Sequence, residues 1–494
     1  MKVRLLVRTL LIFALCNTFT FAQVGDQFVQ TGNMNMARSG HTATLLKDGR
    51  VLIVGGDIVF PPGCIQGSSS AEIYDPATGQ FTLTGSLNMD RVGHSAVLLD
   101  DGRVWIVGDY GWCSATEKTE FYDPATGSFS WGPDLPTAMG SSGVDHIPIA
   151  KLSDGTVLVF DGAPYYNPNN RVWKFDPTLN AITEVGHTVN DKGWNGSEVT
   201  SLKTGEVALI GGSGAEIYDP ATNTDRVVQN VPSYVPRYGG TVATLNDGRV
   251  VIFGGTTVDF QNARPLAIYD PATDNFTQVG DTLYSANGEG KGALLNDGRV
   301  LFSTSYPLGT LFLFNPTDNS MQDVHVPSDD TLANFSGWRT LTVLKDGGVL
   351  ITGGANGYTH SLTSAAELFV PKTAYSCSGF EAPFNTVITM NSKSHRPIPL
   401  KAHLFDAKGV PVTPTSIAGG LAPVVFITSV NNPQDSSFWK SFNFDASTNT
   451  WWINLQLDDF WFGDTPGTYE VWMKTPDVAQ YAFNPECVGY FVRK

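Results

Sequence analysis

Aromatic, amide and guanidinium side chains crowd a few irregular stretches of this chain. Tyr110 and Trp112 stand in the first; Tyr165, Tyr166, Asn167 and Arg171 in the next; Trp194 follows alone. Further on come Tyr234, Arg237 and Tyr238, then Tyr284, Trp338, Arg339, Tyr358 and His360. Flat aromatic faces beside Asn and Arg suit sugar rings or an extended peptide, through apolar stacking and a few directional hydrogen bonds. These are the candidate binding residues. The competing reading makes many of them loop-packing or interface residues.

The 8 histidines offer no metal pattern. His41 and His94 hold equivalent places in a repeat, which argues for structure, and His146 is close to that register. His395 and His403 lie far downstream, leaving His187, His325 and His360 as irregular. No His-x-x-x-His pair or other compact ligand spacing occurs, so no metal site and no cofactor are expected. No Gly-x-Ser-x-Gly elbow at a strand-to-helix turn and no sialidase-style Asp-box repeat is present. Asp48, Asp75, Asp101, Asp123, Asp219, Asp247 and Asp270 fall at turns by register, so no catalytic carboxylate is assigned among them.

What must position these residues is a repeat. A turn followed by an apolar strand, often ending in paired glycines, first occurs as Asp48-Gly-Arg-Val-Leu-Ile-Val-Gly-Gly56. Later copies begin at Asp101, Asp154, Thr204, Asp247, Asp297 and Asp346. A second element keeps step with it: Tyr74-Asp-Pro, Tyr122-Asp-Pro, Phe175-Asp-Pro, Tyr218-Asp-Pro, Tyr269-Asp-Pro, Phe314-Asn-Pro and Phe369-Val-Pro. A period of roughly 50 residues with this content predicts a β-propeller of four-stranded blades. In the first unit the four strands a to d read as 42–46, 51–54, 71–74 and 80–83. The segment Gln27-Phe-Val-Gln-Thr-Gly32 matches Gln80-Phe-Thr-Leu-Thr-Gly85, a strand d, yet precedes the first strand a. It is expected to complete the last blade and close the ring.

Because strands alternate in direction, the short a–b and c–d turns share one rim. The longer b–c and d–a loops share the other, and the aromatic candidates fall there. Binding residues concentrate on loops held by a rigid scaffold, so this loop face is the expected recognition surface.

These units resemble kelch repeats over about residues 25–372. They depart from that pattern at Asp161-Gly162 and Ser303-Thr304, which replace the glycine pair, and at Phe81, Phe129 and Phe276, where kelch strands often carry Trp. Galactose oxidase is similar in build: a secreted seven-bladed kelch-type propeller with a C-terminal β domain, holding copper by Tyr and His with a Tyr–Cys crosslink. That resemblance implies an adjacent Tyr-His pair, whereas Tyr358-Thr359-His360 has one residue between. It also implies a free cysteine, and all four cysteines after the leader read as paired.

Lys2, Arg4 and Arg8 precede the apolar run Leu10–Cys16, and small residues at Thr20 and Ala22 suit cleavage after Ala22. The run is too short to cross a hydrocarbon core of about 30 Å. Cys64, Cys113, Cys377 and Cys487 then remain for an oxidising compartment. Of three possible pairings, the repeat selects Cys64–Cys113, in b–c loops of neighbouring blades, and Cys377–Cys487, which bracket the last segment. A net charge of -16 and a pI near 4.8 argue against nucleic acid and anionic membrane partners.

From about Ser376 seven alternating stretches predict an immunoglobulin-like sandwich. Pro399-Leu-Lys401-Ala402, with Phe442-Asn-Phe-Asp445 and Gly467-Thr-Tyr469, resembles the bacterial secreted domain known for a Pro-x-Lys-Phe strand, with Ala402 in place of Phe. The expected organisation is a signal peptide over 1–22, a seven-bladed kelch-like propeller over 23–373 and a β-sandwich over 374–494. The expected function is non-enzymatic: a secreted, cell-surface or periplasmic monomer recognising a carbohydrate or an extracellular protein through the loop face. The alternative is a galactose-oxidase-like copper radical oxidase or another carbohydrate-active propeller enzyme.

Overall fold

The fold is all-β in a computed structural model. The structure describes residues 26–371 and 373–493, apart from 60–65, 110–116, 137–146, 161–169, 190–197, 212–213, 236–239, 256–264, 282–290, 304–309, 326–337, 357–358, 360, 382–386, 391–397, 407–409, 418–421, 430–437, 456–466, 475–480 and 484–486. Two compact units divide the chain, Asp26–Pro371 and the part from Lys372 onward.

Local turn chemistry builds the first unit. Asp48 accepts from the Arg50 backbone N–H at 3.0 Å and from Arg50 Nε at 2.8 Å, while Gly49 adopts φ 98°. Only a residue without Cβ takes that backbone cheaply, so Asp-Gly specifies the hairpin between strands a and b. The same bonds recur at Asp101/Arg103, Asp247/Arg249 and Asp297/Arg299. Between strands c and d, the Asp75 side chain caps the Ala77 N–H at 2.9 Å.

Seven four-stranded antiparallel sheets result, six of them ordered a–b–c–d along the chain. Their strands a are Thr42–Leu45, Ser95–Leu98, Ile149–Lys151, Glu198–Ser201, Thr241–Thr244 and Gly292–Leu294, and the seventh is Thr340–Val343. Strand b is buried at every position, as in Val51–Val54 and Val250–Phe253. Side chains alternate across a strand, so each blade serves two interfaces at once. Val51 and Ile53 pack with Leu344, Leu350 and Ala366 of the seventh blade; Leu52 and Val54 pack with Val104 and Ile106 of the second. Five more clusters repeat the arrangement around the ring, with Trp105 stacked on Phe175 at 4.2 Å and Phe253 on Phe302 at 4.4 Å.

Ring closure follows the sequence expectation. Gln27–Gln30 pairs antiparallel with Ala366–Val370, in the register Phe28↔Phe369 and Gln30↔Glu367, and supplies strand d of blade seven. The Phe28 and Phe369 rings meet edge-on at 5.5 Å. Asp26, just before this strand, accepts two hydrogen bonds at 2.8 and 2.9 Å from Arg299 in the a–b turn of blade six.

The second unit is a sandwich of two five-stranded sheets. Leu400, Val425, Ile427, Trp451, Val471 and Phe491 form its buried core. Thr373–Phe380 and Tyr481–Phe483 are strands in addition to the seven alternating stretches. The stretch read as one strand from Phe438 divides: Phe438–Ser441 pairs with Val424–Ile427 in one sheet and Asn443–Asp445 with Thr450–Trp452 in the other. Phe442 between them is buried and donates its N–H to the Pro423 carbonyl at 2.8 Å, which marks the crossing point. Cys377 is disulfide-bonded, and its strand lies against Cys487–Arg493; the Cys487 side chain lies outside the described residues.

Candidate functional site

The inner strands a surround the propeller axis. Strand a of blade one lies against its counterparts in blades two and seven, and the same contacts run from blade three through four, five and six to seven. Ser95 Oγ donates to the Ile147 carbonyl at 2.6 Å and links blades two and three. Where these strands begin, at the d–a end, a cavity of about 360 Å³ opens. His41, His94, Glu198, Lys291, Trp338 and Arg339 are among its lining residues. It therefore sits on the rim of the longer loops, above the centre of the ring.

The two axial histidines are built in by repetition. His41 Nε2 lies 2.9 Å from Thr352 Oγ1 and 3.3 Å from Thr340 Oγ1, both of blade seven. His94 Nε2 lies 2.9 Å from Thr42 Oγ1 of blade one. Each ring also rests on the first glycine of the neighbouring blade's pair: a Cβ on Gly353 or on Gly55 would come within 2.8 Å of the imidazole. The paired glycines thus make room for a side chain from the next blade. The Nδ1 atoms of both rings are buried and have no hydrogen-bond partner among the described residues. Burial, reinforced by nearby Arg38 and Arg91, holds the His94 pKa down at about 3 and pushes that of His41 well below its ordinary value. Both imidazoles are neutral near pH 7.

Behind them stand two buried ion pairs that the sequence reading missed. Arg38 reaches Glu72 at 2.8 Å and the Gly55 carbonyl at 2.5 Å. Glu72 also accepts from the Asn35 backbone and side-chain nitrogens at 2.6 and 2.7 Å. Blade two repeats this with Arg91, Glu120 and Asn88: the Arg–Glu separation is 3.0 Å, and Asn88 donates at 2.7 and 2.8 Å. All four charged side chains are fully buried. Their signal is the matched spacing of Asn35, Arg38, Gly40 and His41 with Asn88, Arg91, Gly93 and His94.

Trp338 holds an unusual backbone at the cavity edge, with φ 51°. Every other non-glycine residue with positive φ among the described residues is Asn or Asp. Trp338 stands before strand a of blade seven with Arg339 between, as Gly40 and Gly93, both at φ 60°, stand before Thr42 and Ser95 with one histidine between. Left-handed geometry costs an L residue about 1–2 kcal/mol. The Trp338 carbonyl accepts the Gly40 N–H at 3.1 Å, joining blade seven to blade one. Arg339 follows it, fully buried, with its pKa lowered by burial to about 10 against the opposing pull of Glu367; it is still a cation near neutrality.

Of the other candidate binding residues, Tyr234 packs against the interface of blades four and five and donates its hydroxyl to the Phe276 carbonyl at 3.1 Å. Arg171 opens strand c of blade three, with its guanidinium 5.9 Å from the Trp173 ring centre and its Nε 3.9 Å from Glu184. Only Trp338 and Arg339 of the candidates line the axial cavity among the described residues. Tyr110, Trp112, Tyr165, Tyr166, Asn167, Trp194, Arg237, Tyr238, Tyr284, Tyr358 and His360, and the cysteines Cys64 and Cys113, lie outside the described residues. No helix among the described residues is long and apolar enough to cross a membrane.

No protein-family model and no curated protein matches this chain. Among solved structures it is similar to a fungal alcohol oxidase of the AA5 family in complex with copper, with TM-score 0.57 and 14% identity over 95% of this chain and 100% of that one. This finding corrects the expectation of a non-enzymatic binding protein, and with it the reading that the chain is not an enzyme. The solved structure that overturns it, matched along nearly the whole chain, is an alcohol oxidase. The chain has a seven-bladed, kelch-type β-propeller followed by a β-sandwich domain.

Proposed function

We propose that this chain is an exported, galactose-oxidase-like enzyme that acts on an alcohol or carbohydrate hydroxyl at the loop face, over the axial cavity. The observation that carries the reading is the fold likeness to a copper-bound alcohol oxidase along almost the whole chain. At 14% identity that likeness concerns the fold. The axial cavity supports it, because it is concave, bordered by an aromatic ring and supplied with a few polar groups.

The described residues do not compose a copper donor set. No group of three or more His, Cys, Asp or Glu side chains among them could hold a metal ion. His41 and His94 engage threonines through Nε2, beside the buried cations Arg38 and Arg91. The strand-c tyrosines Tyr74, Tyr122, Tyr218 and Tyr269 are not donors to the axis either. Tyr74 and Tyr122 bond Thr31 and Thr84, and Tyr218 and Tyr269 bond Asn223 and Asp274 in the c–d turns, on the opposite rim. The chain's own residues would present a rigid, half-dry pocket: neutral imidazoles in the wall, Lys291 and Glu198 for hydroxyl groups, and Trp338 at the edge.

An alcohol oxidase removes two electrons and two protons from a carbinol carbon and its hydroxyl, giving a carbonyl, and delivers them to dioxygen as hydrogen peroxide. The test is oxygen uptake and peroxide release by the full chain, with and without added Cu(II), on a panel of primary alcohols and sugars. Substrate-dependent uptake with matching peroxide is the expected result. No uptake on any hydroxyl substrate under either condition would overturn the oxidase reading. The leader, the Cys64–Cys113 staple and an immunoglobulin-like accessory role for the sandwich belong to the same proposal of an exported enzyme. N-terminal sequencing and free-thiol counting of the secreted product test them.

A further inference from the structure

Six of the seven strands d are interior stretches of the chain that run on into the next blade. The seventh, Gln27–Gln30, differs: the ring is closed by a strand that lies close to a chain end. Leader cleavage after Ala22 would leave only Gln23, Val24 and Gly25 ahead of Asp26. Residues 23–25 lie outside the described residues. From Asp26 onward the chain is tied, first by the two Arg299 bonds and then by the ladder to Ala366–Val370. An extended chain covers at most about 3.5 Å per residue, so the new terminus stands within about 10 Å of that latch. Exopeptidases take chains from their ends, and termini are where proteolysis concentrates. Removal of Gln23 through Asp26 would delete the latch, and further removal would unpick the closing strand itself.

The residue that cleavage would expose carries its own protection. Once glutamine is terminal, its α-amine reaches its side-chain amide carbon and closes an unstrained five-membered lactam. The α-nitrogen attacks Cδ, the new N–Cδ bond forms, the Cδ–Nε2 bond breaks and ammonia leaves. No oxidant, reductant or co-reactant is consumed. The product has lost the terminal ammonium that an aminopeptidase grips. We propose that Gln23 of the exported chain is a modification site, converted to pyroglutamate, and that this lactam shields the ring-closing strand from exopeptidases. The assignment goes beyond the enzymatic reading and shares with it only the cleaved leader.

The experiment uses the full chain secreted with its own leader. Intact mass and N-terminal sequence are read on the fresh product and after prolonged incubation at neutral pH. The expected product starts at residue 23, is lighter by one ammonia, and yields no sequence until pyroglutamyl peptidase is added. Gln23→Ala keeps the residues before the cut but cannot cyclise. Treated with a broad-specificity aminopeptidase, the native chain should keep its mass and Tm. Gln23→Ala should lose successive residues through Asp26, and its Tm should fall to that of Asp26→Ala. Untreated, the native chain and Gln23→Ala should melt alike, which separates protection from a structural role of the side chain. A Gln23 amine still free after incubation overturns the proposal, and so does a Gln23→Ala chain that resists trimming. A start at any other residue overturns it together with the leader reading. A capped Gln23 without oxygen uptake leaves this assignment standing and sinks the oxidase reading alone. Oxygen uptake by a chain whose Gln23 amine stays free does the reverse.

Discussion

His94 couples folding stability to pH. Its pKa is about 3 in the fold against an ordinary 6.5, through burial first and the charge of Arg91 second. Between those values the unfolded chain binds a proton that the folded chain does not, so folding stability is complete above pH 6.5 and declines as pH falls toward 3. The slope from one such group is at most about 1.4 kcal/mol per pH unit. Replacing His94 with Gln should lower stability near pH 7, where the Thr42 contact and the packing on Gly55 are perturbed, yet flatten the decline between about pH 6 and 4. Urea unfolding across that range checks this, and equal slopes for both chains would reject a buried neutral imidazole. At this scale the sequence was legible only in part. His41 and His94 were visible as repeat-equivalent because identity and spacing recur locally. The Arg38–Glu72 and Arg91–Glu120 pairs were not, because each joins a d–a loop to a strand c across the blade, and no local periodicity records that contact. The left-handed place of Trp338 could have been read by aligning it with Gly40 and Gly93, whose small size was the signal.

At the scale of elements, the N-terminal strand is held by more than its ladder. Asp26 and Arg299 form a two-pronged ion pair with 11% and 20% of their side chains exposed, and Arg299 keeps a second partner in Asp297. These hydrogen bonds raise the Arg299 pKa further above its ordinary value. The Arg50–Asp48 pair has similar distances but is 40% and 47% exposed, so water competes for it. Partly buried, charge-assisted bonds are worth about 1.5–3 kcal/mol, whereas exposed pairs are worth about 0–1. Asp26→Ala should therefore destabilise the chain by about 2 kcal/mol, and Asp48→Ala in the exposed hairpin by less than its turn bonds alone would give. Denaturant midpoints with unchanged m-values measure both, and equal losses would contradict the role assigned to burial. The strand itself was legible because Gln27-Phe28 copies the Gln80-Phe81 pattern. The latch was not, since Asp26 and Arg299 are brought together only once the ring has closed.

For the whole molecule, closure determines whether there is a site at all. The axial cavity is bounded by strands from both ends of the ring, with Trp338 and Arg339 of blade seven beside His41 of blade one. His41 bonds Thr340 and Thr352, and the Gly40 N–H bonds the Trp338 carbonyl, across the same seam. That seam is covalently open and is joined by the strand Gln27–Gln30 paired with Ala366–Val370. A chain that begins at Gly32 would leave Ala366–Val370 as an unpaired edge, a template for association with other molecules. It would also lose the Phe28–Phe369 contact and the Asp26 latch. Such a chain should unfold about 5–10 °C lower and show dimers or larger species on size exclusion. A peptide covering Asp26–Thr31, added in excess, should raise the transition again by mass action, because it binds only the folded ring. If turnover or sugar binding at the axis is then measured, recovery should follow the same peptide titration, since the seam and the cavity share His41, Trp338 and Arg339. A truncated chain that stays monomeric with an unshifted transition would mean that blade seven stands without its borrowed strand, and the link between ring closure and the site would fail with it.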